Sequence, residues 1–138
     1  QDDTFLLTYG DGVTNSDINA SIDFHQKHGA IATVTAVHQP GRFGELGLRE
    51  DEVFNFREKP EVDMAYINGG FFVMNKAIGR YLTGDECILE RDPMDRLAAE
   101  GQLKAFRHEG FWQCMDNLRE FELLNKTWDS GKAPWKVW

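Results

Sequence analysis

The stretch Thr4-Phe5-Leu6-Leu7-Thr8-Tyr9-Gly10-Asp11-Gly12 decides the fold class. Thr4 to Tyr9 is apolar, aromatic and β-branched, which predicts a buried strand. Gly10-Asp11-Gly12 breaks it. Asn15, Ser16 and Asp17 are helix N-cap types, and they open a helix that runs to about His28 and stops at Gly29. Ile18, Ile22 and His25 recur at helical spacing, with Phe24 widening that face. Ile31 to His38 (IATVTAVH) is β-branched and predicts a second strand. Strand, helix and strand with short joints form a βαβ crossover, so the two strands are expected to be parallel in one sheet. The class is α/β. A buried strand needs neighbours on both sides, and little chain precedes Thr4 to supply one.

Outward from this unit the alternation continues. Pro40 to Gly47 holds three glycines and a proline and predicts a surface loop. Leu46–Arg49 and Glu52–Arg57 flank the acidic turn Glu50-Asp51, which suggests a hairpin, closed by Glu58-Lys59-Pro60. Ala65-Tyr66-Ile67 leads through Asn68-Gly69-Gly70 into a strand over Phe71–Met74. A short helix is expected from Lys76 to Leu82. Asp92 as N-cap, Pro93 at the first helical position and Gly101 past the end bracket another helix. Leu103–Arg107 and Phe111–Met115 predict short strands. Asn117–Ser130 predicts a last helix with Phe121, Leu124 and Trp128 on one face. The tail from Gly131 is irregular.

Composition limits the function. The chain has 138 residues, which predicts one domain. Ten Phe, three Tyr and four Trp exclude a disordered tail. Within these residues no apolar run approaches ~18 residues, and no basic segment precedes an apolar one, so neither a membrane span nor an export signal is read here. The net charge of -8 makes a poor partner for nucleic acid, whose binding rests on neutralising phosphates. It permits a small phosphorylated ligand, for which one or two lysines suffice. Two cysteines, Cys87 and Cys114, fit a reducing cytoplasm.

Several residues carry chemistry by type and place. Asp11 follows a strand end, where open α/β sheets bind ligands. Flanking glycines allow close approach, and Mg²⁺ takes one or two carboxylates plus substrate phosphates. Asp-Gly pairs also simply shape turns. Lys59 offers a point charge for a phosphate, and Glu58 can accept from hydroxyls. The plainer reading is a solvated ion pair. Asn68-Gly69-Gly70 inside a strand pattern suggests either a bulge or a close approach of backbone to ligand. Asp116 is either the N-cap of the last helix or a second carboxylate for the metal held by Asp11. The four histidines show no ligand spacing, and His25 reads as a satisfied, half-buried side chain. Cys114 reads as packing rather than nucleophile. Trp135 and Trp138 read as packing or interface residues. No P-loop, GxGxxG or CxxC is present.

The order of these elements resembles a known family. Tyr9-Gly10-Asp11-Gly12, Pro40-Gly41-Arg42-Phe43-Gly44, Glu58-Lys59-Pro60, Ile67-Asn68-Gly69-Gly70-Phe71-Phe72-Val73 and Gly110-Phe111-Trp112-Gln113-x-Met115-Asp116 together resemble the sugar-phosphate nucleotidyltransferases. Within that family they look most like the branch that joins CTP to glucose 1-phosphate. The closing Gly131-Lys132-Ala133-Pro134-Trp135-Lys136 looks like that branch too. The resemblance implies a GT-A-like, Rossmann-like mixed sheet with flanking helices. It also implies Mg²⁺-dependent formation of CDP-glucose and pyrophosphate in a bacterial cytoplasm. By resemblance, Asp11 and Asp116 hold Mg²⁺, and Glu58 and Lys59 hold the sugar hydroxyls and sugar phosphate, with Lys59 also catalytic. Asn68 and Gly69 line the sugar site, and Arg42 reaches nucleotide phosphates.

The family's Gly-Gly-x-Gly-Thr-Arg-Leu loop, and the separate Lys-Pro element that follows that loop, do not occur in these residues. The expectation is therefore a single partial domain over 1–138, the C-terminal, sugar-phosphate-binding half of such an enzyme, inactive alone. Its partner is a missing N-terminal half or further copies of itself, since an open apolar edge invites pairing. The competing class is a non-catalytic sugar-phosphate-binding or assembly module derived from the family.

Overall fold

A computed structural model describes residues 3–38, 45–49, 52–57 and 66–138. Strand β1 is Thr4–Leu7, β2 Gly12–Thr14, β3 Ala32–His38, β4 Glu45–Arg49, β5 Glu52–Arg57, β6 Tyr66–Asn75, β7 Leu103–His108 and β8 Trp112–Cys114. The helices are α1 Ile18–His28, α2 Asp92–Ala99 and α3 Leu118–Asp129, with a 3-10 helix over Lys76–Arg80. The last corrects the helix expected to Leu82.

The main sheet has the order β1-β6-β3-β7 and is mixed. β6 is antiparallel to both β1 and β3, whereas β3 and β7 are parallel. β1 and β3 therefore do run the same way, as the crossover predicted, but β6 lies between them. The expectation of a buried first strand is corrected. Among the described residues β1 pairs only with β6, so it is an edge. Phe5 and Leu6 are 41% and 54% exposed, because one flank of the strand has no neighbour to cover it. The expected hairpin forms as β4–β5. β4 begins at Glu45, which shortens the loop expected to Gly47. β6 runs over Tyr66–Asn75, longer than the strand expected over Phe71–Met74, and β2 pairs antiparallel to β8, a strand the sequence does not predict.

The helix ends follow local chemistry. Asp17 caps α1 by accepting from the Ala20 amide at 3.0 Å, and Gly29 ends it at φ 68°. The buried face of α1 is Ser21 and His25 rather than Ile18, which is half exposed at 50%. Ile18 sits with Leu6 and Leu7 around an open apolar groove next to the uncovered edge. His25 is buried, not half-buried, and satisfied by Thr33 Oγ1 at 2.9 Å. In α2, Asp92 is the first helical residue and Arg91 the cap, without a side-chain bond. Asp92 and Asp95 still favour the positive end of the helix dipole. In α3 the cap is Asn117, not Asp116: Asn117 Oδ1 accepts from the Glu120 amide at 3.1 Å. Glu120 reaches back, its Oε2 accepting from the Asp116 amide at 2.8 Å, a variant of the reciprocal capping box. The expected apolar face of α3 is not buried: Phe121 and Trp128 are about half exposed, and Leu124 is half-buried.

The core gathers Ala32, Phe72, Met74, Ile78, Tyr81 and Leu97, flanked by Leu7, Tyr9, Val34, Leu89 and Leu103. The tail returns through aromatic contacts. Trp135 stacks on Phe111 at 5.4 Å and on Trp128 at 6.5 Å, whereas Trp138 is exposed. Among the described residues no helix is long and apolar enough to cross a membrane.

Candidate active site

The site forms where the β2–β8 ladder meets a bulge in β6. Gly12 pairs with Cys114, and the Met115 amide donates to the Asp11 carbonyl at 2.8 Å. This pairing carries Asp11 and Asp116, far apart in sequence, to the same end of the ladder. Both are exposed and line one cavity of about 240 Å³. Asn68, Gly69, Tyr9, Trp112 and Cys114 share its wall. Because Asn117 and Glu120 cap α3, the Asp116 carboxylate is not spent on capping. The N-cap reading of Asp116 is thereby corrected, and its side chain lines the cavity.

The bulge explains the glycines. Val34 faces Phe72 but Ala36 faces Asn68, so Gly69 to Phe71 are looped out against Thr35. A Cβ on Gly69 would lie 2.8 Å from Val37 Cγ1 and 2.9 Å from the Thr35 carbonyl oxygen. Gly70 has φ 73°, and its Cβ would meet the Tyr9 ring at 2.8 Å. Phe71 follows at φ 45°, rare for a residue with a side chain. Hydrogen bonds hold the bulge on three sides. Trp112 Nε1 donates to the Gly69 carbonyl at 2.8 Å. The Thr35 hydroxyl donates to the Phe71 carbonyl at 2.8 Å, and the Gly70 amide donates to Asn68 Oδ1 at 2.9 Å.

The electrostatics separate thiol from carboxylate. Burial, then the hydrogen bond to Asp116, pushes the Cys114 thiol up to about 11. It stays protonated at neutral pH, which supports packing over nucleophilic attack. Ligand atoms of Cys114, Asp116 and Glu120 lie within 4.8 Å of one another. Two exposed carboxylates opening on one cavity are hard oxygen donors of the kind a divalent cation takes.

Of the residues singled out in the sequence, Asp11, Asn68, Gly69 and Asp116 come together here. Arg42, Glu58 and Lys59 lie outside the described residues. Tyr9, Trp112 and Glu120 were not assigned roles. The pattern Asn117-x-x-Glu120 is a legible capping signal, whereas Tyr9 and Trp112 stand in the quoted motifs with nothing local to give either a role.

The mixed α/β sheet has counterparts among known proteins. Residues 1–113 match the family model described as nucleotidyl transferase, and the chain belongs to that family. A glucose-1-phosphate cytidylyltransferase of Salmonella typhimurium is 52% identical over 137 residues, covering 99% of this chain and 53% of that enzyme. The catalytic subunit beta of a mannose-1-phosphate guanylyltransferase from Danio rerio is 29% identical over 122 residues, covering 85% of this chain and 34% of its own length. The crystal structure of HddC from Yersinia pseudotuberculosis superposes with a TM-score of 0.67 at 19% identity, covering 93% of this chain and 56% of that one. At that identity the likeness is one of fold. The chain spans about half the length of the Salmonella relative.

Proposed function

We propose that these residues form the sugar-phosphate side of a glucose-1-phosphate cytidylyltransferase, which converts CTP and α-D-glucose 1-phosphate to CDP-glucose and pyrophosphate. The observation that carries this reading is the single cavity lined by Asp11, Asn68, Gly69 and Asp116. These are residues whose order along the chain resembles that family's site. The family's glycine-rich nucleotide loop then lies in the part of the enzyme that these residues do not span. The placement of this half as the C-terminal one belongs to the same proposal, as does the cytoplasmic setting.

The reaction is an in-line displacement. A phosphate oxygen of glucose 1-phosphate attacks the α-phosphorus of CTP, a new P–O bond forms, and pyrophosphate leaves with the electron pair of the broken bond. Both reactants are anions, so the protein must align them and offset their repulsion. Asp11 and Asp116 would hold Mg²⁺, and the bound ion would supply charge neutralisation and a template for the phosphates. Lys59 neutralises the sugar phosphate, Glu58 accepts from sugar hydroxyls, and Arg42 reaches the nucleotide phosphates. Asn68 and the Gly69 backbone border the sugar. No covalent nucleophile is needed, in keeping with a protonated Cys114.

β1 is the edge where the rest of the enzyme, or a second copy, adds to the sheet: its open flank, Phe5 and Leu6 are exposed beside an apolar groove. The test of function is pyrophosphate release by the full-length enzyme given Mg²⁺, CTP and glucose 1-phosphate. Release dependent on both substrates supports the reading. Glucose 1-phosphate binding without any release would instead assign a non-catalytic binding module.

A further inference from the structure

Behind Asn68 lies a hydrogen-bond chain to which the proposed site gives no role. The Tyr9 hydroxyl donates to Glu90 Oε1 at 2.8 Å. Asn68 Nδ2 donates to the Tyr9 hydroxyl oxygen at 3.1 Å, and the Gly70 amide donates to Asn68 Oδ1 at 2.9 Å. The chain's direction is set from both ends. A carboxylate only accepts and a backbone amide only donates. Between them, Tyr9 must give its one proton to Glu90, and Asn68 must turn its oxygen toward Gly70. One Nδ2 hydrogen of Asn68 is spent on Tyr9 and one remains. The Tyr9 ring has little freedom, pressed against Gly70 and set edge-on to Phe72 at 5.9 Å.

We propose that Tyr9 and Glu90 are positioning residues of the sugar site: they fix the Asn68 amide so that its remaining Nδ2 hydrogen serves as a donor to a hydroxyl oxygen of the hexose. This rests on the reading of the cavity as the sugar-phosphate side. Glu90 precedes α2, so the segment leading into that helix is tied to substrate recognition across 81 residues of sequence.

Tyr9→Phe, Glu90→Ala and Glu90→Gln in the full-length enzyme test this. Tyr9→Phe removes one oxygen, and Glu90→Gln keeps an acceptor while removing charge. Losing one neutral hydrogen bond predicts a rise of about two- to tenfold in KM for glucose 1-phosphate in Tyr9→Phe and Glu90→Ala. KM for CTP stays at the wild-type value in both, and Glu90→Gln stays near wild type throughout. An unchanged sugar-phosphate KM in Tyr9→Phe overturns the proposal. So does a parallel rise in KM for CTP, which marks general damage. So does a Glu90→Gln that matches Glu90→Ala, which assigns the effect to charge. A wild type that neither releases pyrophosphate nor binds glucose 1-phosphate by calorimetry removes the functional reading itself, and the positioning role with it.

Discussion

The indole Nε1 of Trp112 donates to the carbonyl oxygen of Gly69 at 2.8 Å, and this bond ties the β2–β8 ladder to the bulge of β6. The two carboxylates arrive on the ladder and the glycines on the main sheet, so this contact sets their relative placement. Trp112→Phe leaves a part-buried carbonyl without its donor. The expected cost is about 1–3 kcal/mol of stability, with a raised KM for glucose 1-phosphate, read by chemical denaturation and steady-state kinetics.

The bulge predicts a ranking among glycine substitutions. Gly69→Ala places a methyl group against the Val37 side chain and the Thr35 backbone, and backbone cannot swing away. Overpacking of this kind costs about 1–3 kcal/mol or more. Gly70→Ala adds a left-handed φ, about 1–2 kcal/mol, to a clash with the Tyr9 ring. Gly79 meets nothing within 4 Å, and Gly79→Ala is expected to change stability by less than about 1 kcal/mol. Thermal melts of the three variants check the order.

Stability is expected to fall in acid through a hydrogen-bonded histidine pair, His25 buried and His28 half-buried. The Ala30 amide donates to His28 Nδ1 at 2.9 Å, so a neutral His28 carries its proton on Nε2. It gives that proton to Thr33 Oγ1 at 2.7 Å, leaving the Thr33 hydroxyl to donate to His25 Nδ1 at 2.9 Å. Every acceptor is then used, and protonating either ring opposes a donor to a donor. Burial lowers both pKa values, helped at His25 by His28 and at His28 by Lys104. Groups with a folded pKa below the unfolded value near 6.5 leave stability fully present above about pH 6.5. It is lost as pH falls below that point toward the lowered folded values. Denaturation midpoints between pH 7.5 and 5 check this.

The paired carboxylates predict a split between activity and stability. Asp11 and Asp116 are exposed, so Asp→Asn at either is expected to shift stability by less than about 1 kcal/mol. If they hold Mg²⁺, turnover falls by about a hundredfold or more, since metal charge stabilisation amounts to several kcal/mol. Lys59→Ala should instead raise the half-saturating concentration of glucose 1-phosphate. Pyrophosphate release measured alongside thermal melts separates the two effects.

Much of this was legible in the sequence where the signal was local. Asp17 and Gly29 bracket α1 as cap chemistry requires, and β4 pairs with β5 as the expected hairpin. Glycines inside an apolar run betrayed the β6 bulge. What failed was non-local. The insertion of β6 between β1 and β3 depends on pairings that no short window contains. Thr4–Leu7 is an edge because, among the described residues, nothing pairs with its other flank. Asp116 and Asn117 are both cap types, and only the Glu120 side chain, reaching back to the Asp116 amide, chooses between them. The Tyr9–Glu90 bond joins two irregular segments with no pattern in common.

The most direct test is the product formed by the full-length enzyme from CTP, glucose 1-phosphate and Mg²⁺, in the wild type and in the Asp11→Asn, Asp116→Asn double variant. CDP-glucose and pyrophosphate are expected in equal amounts from the wild type and at background from the double variant, with both proteins folded. No product from a folded wild type, or undiminished product from the double variant, contradicts the assignment.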